Sequence, residues 1–407
     1  MARVVFIPFP ETGHLYASFK LARALKARSQ EVCYLGIQDF EEPVRLQQFE
    51  FRPIFESVVH KGFLARQAAS GAAEPFEAIL LAARNGRQPR DVLSELQQLV
   101  RNVHPDLLVI DLLLSSVALM AKSMKIPSVL LNTQFYDPWE DEVKAADYHL
   151  LRDVPELVLC PQEFDFPRAK KRDNCHYVES CIDQERKDVP FPWHKLGEDK
   201  PLIYCSLGSQ GHLINGGKDL LQAVIDAVSA SCRRQLVLAT GTHLNPEDFG
   251  EVPANIVLVN IAPQLDVLKR ASIAITHGGF NTVKECIYFG VPMIVIPLIR
   301  DHPAVAARVV HHGLGVRGNI NQVSIEKVRS LIDEIEGNPL FRTRCSRMSE
   351  RFRELEEAGE AVRIALSVLK DGPVDQNSPA SQELLEAALR MRVKQKRYRS
   401  RELGELR

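Results

Sequence analysis

His277-Gly278-Gly279 stands between the apolar run ASIAIT and the segment FNTVKECIYFG. Two glycines let a backbone approach a ligand closely, and a helix starting near Phe280 would present unpaired N–H groups and the positive end of its dipole. That is an anion site, most naturally for phosphate; a plain strand-to-helix turn is the alternative. Asn281 and Glu285 are four apart and share one helix face. A carboxylate there would repel phosphate at short range, yet one turn further along it suits a neutral diol such as a ribose. Gly208-Ser209 makes a second turn after PLIYCSL, and His277 can donate to an oxygen of the same anion. Asp301-His302 follow VPMIVIP. Their two side chains could read sugar hydroxyls or simply start the next helix.

A second group of residues offers acid–base chemistry. His14 follows the first apolar run, RVVFIPF, and Asp111 ends a later one, PDLLVID. In a parallel α/β sheet both carboxyl ends face one crevice, where an imidazole and a carboxylate can meet. With an ordinary pKa of about 6.5 a histidine accepts a proton near neutrality, and a carboxylate on its other nitrogen fixes the tautomer. Taken singly, a solvated turn histidine and a helix-capping aspartate are the plainer readings. No D-x-D pair that would cradle a divalent metal is evident; Glu163-Phe164-Asp165 is the nearest imitation. Departure of a diphosphate would then rest on N–H groups, the helix dipole and His277.

The elements that must position these residues alternate along the chain. Arg3–Phe9, a helix from Tyr16 to Arg28 and EVCYLGI make one βαβ unit. FEFRPI, a helix over 90–103, PDLLVID, SSVALMAKSM and IPSVLLN continue it, and LVLC and CHYVES close it. Residues 58–90, with an Ala- and Leu-rich stretch, could wall a binding cleft or form a surface helical pair. A polar stretch at 183–200 with Pro190 and Pro192 reads as a linker. A second series then runs from PLIYCSLGS through RRQLVLA, NIVLVN, APQ, the strand before His277, a strand over 291–296 and GVRGNI to helices over 324–370.

The expected fold class is α/β, with two doubly wound parallel-sheet domains facing across a cleft. The expected divisions are 1–182, the linker 183–200, 201–350, helices at 351–371 crossing back to the first domain, and a polar, basic tail at 372–407. At 407 residues two cores are the default. The balance of 51 basic against 52 acidic residues argues against a dedicated nucleic-acid binder. Eight cysteines without a C-x-x-C pair read as free thiols of a reducing cytoplasm. The first apolar run is too short for a signal peptide, and the apolar window 107–120 is too short for a membrane span. Residues 390–401 carry seven Lys or Arg and no acid, a solvated end or a peripheral contact with an anionic membrane.

APQLDVL, THGGFNTVKE, FGVPMIVIP and the Asp that follows, in that order and spacing, resemble the signature of glycosyltransferase family 1, the nucleotide-sugar-dependent class with the GT-B fold. The resemblance covers residues 1 to about 370. It implies that His277, Gly279, Asn281, Thr282 and Ser209 hold the diphosphate, with Gly13 close by. It also implies that Glu285 binds the ribose, that Ala262, Pro263 and Gln264 lie along the base, and that Asp301 and His302 meet the donor sugar. His14, partnered by Asp111, would be the general base. The chain departs from the family at His302, where Gln is common, and at Ile261, where plant members place Trp. Donor sugar and the choice between UDP and dTDP therefore stay open. The expectation is an inverting hexosyltransferase acting on a lipophilic small molecule, with no cofactor or metal beyond the donor. A nucleotide-sugar epimerase or hydrolase, and a non-catalytic auxiliary protein, are the alternatives.

Overall fold

A computed structural model of the chain describes residues 1–56, 59–70, 89–135, 149–167, 172–208, 211, 216–230, 232–241, 244–299 and 301–371. Ser209, most of the 58–90 region and the whole 372–407 tail lie outside the described residues.

Two parallel sheets organise the chain. The first contains β1 (Arg3–Ile7), β2 (Glu31–Gly36), β3 (Glu50–Pro53), β4 (Leu107–Asp111), β5 (Ser128–Asn132), β6 (Glu156–Val158) and β7 (Cys175–Tyr177), in the order β3-β2-β1-β4-β5-β6-β7. The second contains β8 (Leu202–Ser206), β9 (Gln235–Ala239), β10 (Ile256–Val259), β11 (Ala271–Thr276), β12 (Met293–Val295) and β13 (Gly315–Arg317), in the order β10-β9-β8-β11-β12-β13. Every residue of β4 and β8 is buried, as helices on both faces of a parallel sheet require. That requirement made the apolar runs readable.

In both sheets the direction of winding reverses beside the first strand, between β1 and β4 and between β8 and β11. Ligands bind at such switch points, outside the carboxyl ends of the strands. Residues 11–14 and Asp111 stand at the first, Gly208 and His277-Gly278-Gly279 at the second.

Two expectations need correction. The first helix spans Thr12–Ala27, so His14 lies in its first turn rather than in a preceding loop. A glycine at position 13 costs little there, because first-turn N–H groups have no intrahelical partner to lose. The strand expected over 291–296 forms ladder pairs only at Met293–Val295. The helical stretch 324–370 is three helices, Ile325–Gly337, Leu340–Ala358 and Glu360–Asp371, broken at Pro339 and at Gly359, which has φ +64.

Leu340–Ala358 packs on the Phe280–Tyr288 helix, whereas Glu360–Asp371 packs on the Thr12–Ala27 helix and on β4 and β5. Ala361, Val362, Ile364 and Ala365 enter the core of the first sheet. Conversely Phe135 and Phe164 join a core of the second sheet, with ring centroids 4.3 Å between Phe135 and Phe280. Arg308 seals that contact: its guanidinium stands over the rings of Phe135 and Phe166 and its Nε donates to Asp165 Oδ1 at 2.9 Å.

Candidate active site

The carboxyl ends of β1 and β4 bring the two acid–base residues together. Nδ1 of His14 lies 2.8 Å from Asp111 Oδ2, and both side chains are buried, 8% and 3% exposed. The other oxygen of Asp111 accepts from the N–H of Leu113 at 3.0 Å, so the carboxylate cannot turn away. An ionised carboxylate only accepts, which puts the ring proton on Nδ1 and leaves the lone pair on Nε2. Thr133, one residue beyond β5, places its Oγ1 2.8 Å from the same Nδ1. Phe9 packs against the ring at 5.2 Å, and Glu11 Oε2 lies 3.9 Å from Nε2, too far for a hydrogen bond.

Across the cleft, the His277 ring lies between two glycine backbones, and a Cβ at Gly208 or Gly279 would stand on its atoms. Gly208 and Gly278 have φ of +71 and +89, values that favour glycine. Burial pushes the His277 pKa down to about 4, against a hydrogen bond with the backbone of Ser206, so the ring is neutral at neutral pH. His302, 6% exposed, packs its ring edge against His277 at 4.6 Å, and its Nδ1 accepts from the N–H of Ile299 at 3.2 Å. With Nδ1 accepting, the His302 proton sits on Nε2.

The Phe280–Tyr288 helix carries two more of the residues singled out from the sequence, Asn281 and Glu285. Asn281 Nδ2 donates 2.9 Å to the carbonyl of Gly13, which joins the first turns of two helices from opposite domains. Glu285, 8% exposed, meets Arg186 of the linker at 3.4 Å and accepts a short hydrogen bond from Gln264 Nε2. Gln264 also accepts from Tyr204 at 2.9 Å and lies 3.3 Å from Thr282 Oγ1. Its side chain is thus spent on a polar network behind the helix. Ala262 is buried, while Ile261 is 49% exposed beside it. Asp301 Oδ2 accepts from the N–H of Phe135 at 3.2 Å, a second bond across the cleft. Glu163 is paired with Arg351, and Asp165 with Arg308 and Tyr177.

Thr133, Arg186 and Phe135 were not singled out from the sequence. Thr133 was within reach of the reasoning that found Asp111, since it also follows the end of a buried strand. Arg186 lies in a charged stretch with nothing to distinguish it, although its guanidinium is buried over the ring of Tyr16 at 4.9 Å.

Two doubly wound domains with facing switch points make the GT-B fold, here with a buried His–Asp pair at one switch point and a glycine-flanked turn at the other. The family described as UDP-glucoronosyl and UDP-glucosyl transferase matches residues 156–354. The chain is 23% identical over 406 residues to the uncharacterized UDP-glucosyltransferase YojK of Bacillus subtilis, covering 91% of this chain and 97% of that protein. It is 24% identical over 410 residues to the zeaxanthin glucosyltransferase of Pantoea ananas, covering 87% and 93%. Among solved structures, the glycotransferase of kitacinnamycin is similar at a TM-score of 0.69 and 25% identity, over 91% of this chain and 99% of that one. Residues 156–354 thus resemble that family, and the chain is a nucleotide-sugar-dependent glycosyltransferase of the GT-B fold.

Among the described residues, no helix is long and apolar enough to cross a membrane.

Proposed function

We propose that the chain is an inverting glycosyltransferase that moves a hexose from a UDP- or dTDP-sugar to a hydroxyl of a lipophilic small molecule, a natural product or a lipid. The observation that carries the reading is the buried His14–Asp111 pair at one switch point, tied through Gly13 and Asn281 to the anion turn at the other. The kinship with a zeaxanthin glucosyltransferase supports the acceptor class.

His14 Nε2 takes the proton of the acceptor hydroxyl while Asp111 holds the imidazolium that forms. The hydroxyl oxygen attacks the anomeric carbon in line from the face opposite the diphosphate, so the configuration inverts. Charge on the departing diphosphate is met by the N–H groups at the start of the Phe280–Tyr288 helix, by its dipole and by His277. A bound dianion favours the imidazolium of His277, so donor binding draws a proton onto that ring. Glu285 with Arg186 meets the ribose, Ala262 and Pro263 flank the base, and Asp301 with His302 faces the sugar. The reading takes no metal or cofactor beyond the donor; the carboxylates of Glu163-Phe164-Asp165 are each paired with an arginine. All eight cysteines are free, which suits a cytoplasmic setting.

The test is incubation with a panel of UDP- and dTDP-sugars, with and without an acceptor library, for wild type and His14→Ala. Acceptor-dependent transfer that the substitution lowers by about 10²-fold or more is expected. Transfer undiminished in His14→Ala refutes the base assignment, and donor turnover without acceptor favours an epimerase or hydrolase.

A further inference from the structure

The carboxamide of Asn281 has a partner of its own in the opposite domain. Its Nδ2 donates to the carbonyl of Gly13 at 2.9 Å, and only the NH2 end of an amide can face a carbonyl. Gly13 directly precedes His14, and this turn is otherwise pinned by its own backbone, the N–H groups of His14 and Leu15 converging on the Glu11 carbonyl at 3.1 and 3.2 Å. On its far side the His14 ring leans on Thr133. Two residues beyond Thr133, the N–H of Phe135 is held by Asp301 at 3.2 Å. Two first-domain segments beside the imidazole are thus hydrogen-bonded to side chains of the donor domain, one accepting from Asn281 and the other donating to Asp301.

We propose that Asn281 is a positioning residue for His14: its side chain fixes the base-bearing turn across the cleft, while its contribution to the diphosphate is confined to the backbone N–H. The inference rests on the base role assigned above. Proton transfer is then aligned only when the two domains are closed on one another, so an acceptor hydroxyl is activated where a donor can be held. A side chain that instead gripped phosphate would act on donor affinity rather than on the chemical step.

Asn281→Ala separates the two roles. Titration calorimetry with UDP and dTDP, which carry the diphosphate without reacting, is expected to give affinities within about twofold of wild type. At saturating donor and acceptor, kcat is expected to fall by about tenfold or more, in keeping with the cost of a displaced catalytic group. The loss should be larger for an aliphatic alcohol than for a phenol, because the more acidic hydroxyl depends less on its base. A merely structural defect would not sort acceptors by acidity. Should the alanine variant fold poorly, Asn281→Ser, whose hydroxyl is too short to reach Gly13, gives the same measurements. A tenfold or greater fall in UDP affinity overturns the proposal whatever kcat does, as does an unchanged kcat in a background where His14→Ala abolishes transfer. Persistence of transfer in His14→Ala strikes the base assignment itself, a distinguishable result.

Discussion

Replacing Asp111 by asparagine keeps the shape of the buried pair and inverts its hydrogen bonding. One oxygen of Asp111 accepts from the Leu113 N–H at 3.0 Å and the other faces His14 Nδ1 at 2.8 Å. An asparagine has one oxygen, and the Leu113 N–H, which has no acceptor group of its own to offer, claims it. The NH2 group then points at Nδ1, which must become the acceptor, and the ring proton moves to Nε2. The nitrogen aimed at the acceptor hydroxyl has lost its lone pair. Positioned general bases contribute about 10²- to 10⁴-fold, and the loss in kcat should fall within that range. Asp111→Ala leaves either tautomer open and should retain more activity than Asp111→Asn. Initial rates at saturating donor and acceptor, with thermal melts to confirm folding, make the comparison. An asparagine variant within tenfold of wild type, or one more active than the alanine variant, would falsify the tautomer argument.

Two further tests probe the buried groups. The His277 pKa of about 4 lies below the unfolded value of about 6.5, so the unfolded chain binds the proton first. The stability from that difference, up to roughly 3 kcal/mol, is full at pH 7 and is lost as the pH falls from about 6.5 toward 4. In urea denaturation, wild type should therefore lose more stability than His277→Asn over this window; parallel curves would refute the assignment. Asp165→Ala strands the buried Arg308 guanidinium and should cost about 3–5 kcal/mol, read from the denaturant midpoint, and adding Arg308→Met should recover much of it. Equal stability of single and double variants would refute this account.

What could be read from the sequence follows from how parallel sheets are built. Strands covered on both faces are continuous apolar runs, so β1, β4, β8 and β11 were legible, and residues just beyond them had to lie at a crevice. His14 and Asp111 were found by that logic alone. The cross-cleft bonds of Asn281 and Asp301 were not legible, because a side chain's partner in another domain leaves no periodicity. The same holds for Phe135 and Phe164, which are sequenced with the first sheet and buried with the second. Gln264 illustrates a different limit. Its position beside the base was suggested by resemblance, but its hydrogen bonds to Tyr204 and Glu285 depend on a rotamer that only packing selects.

The two passages of the chain between the domains lie side by side. The N–H of Ile182, just before the linker, donates to Glu356, just before Gly359, at 3.1 Å; beyond the break the N–H of Ala361 donates to Glu179 at 2.9 Å. Lys20 of the first helix reaches the same Glu356 at 2.5 Å. Two tethers stitched together at one edge act as the spine of a book. Stitched at several points along that edge, the spine fixes which page faces which.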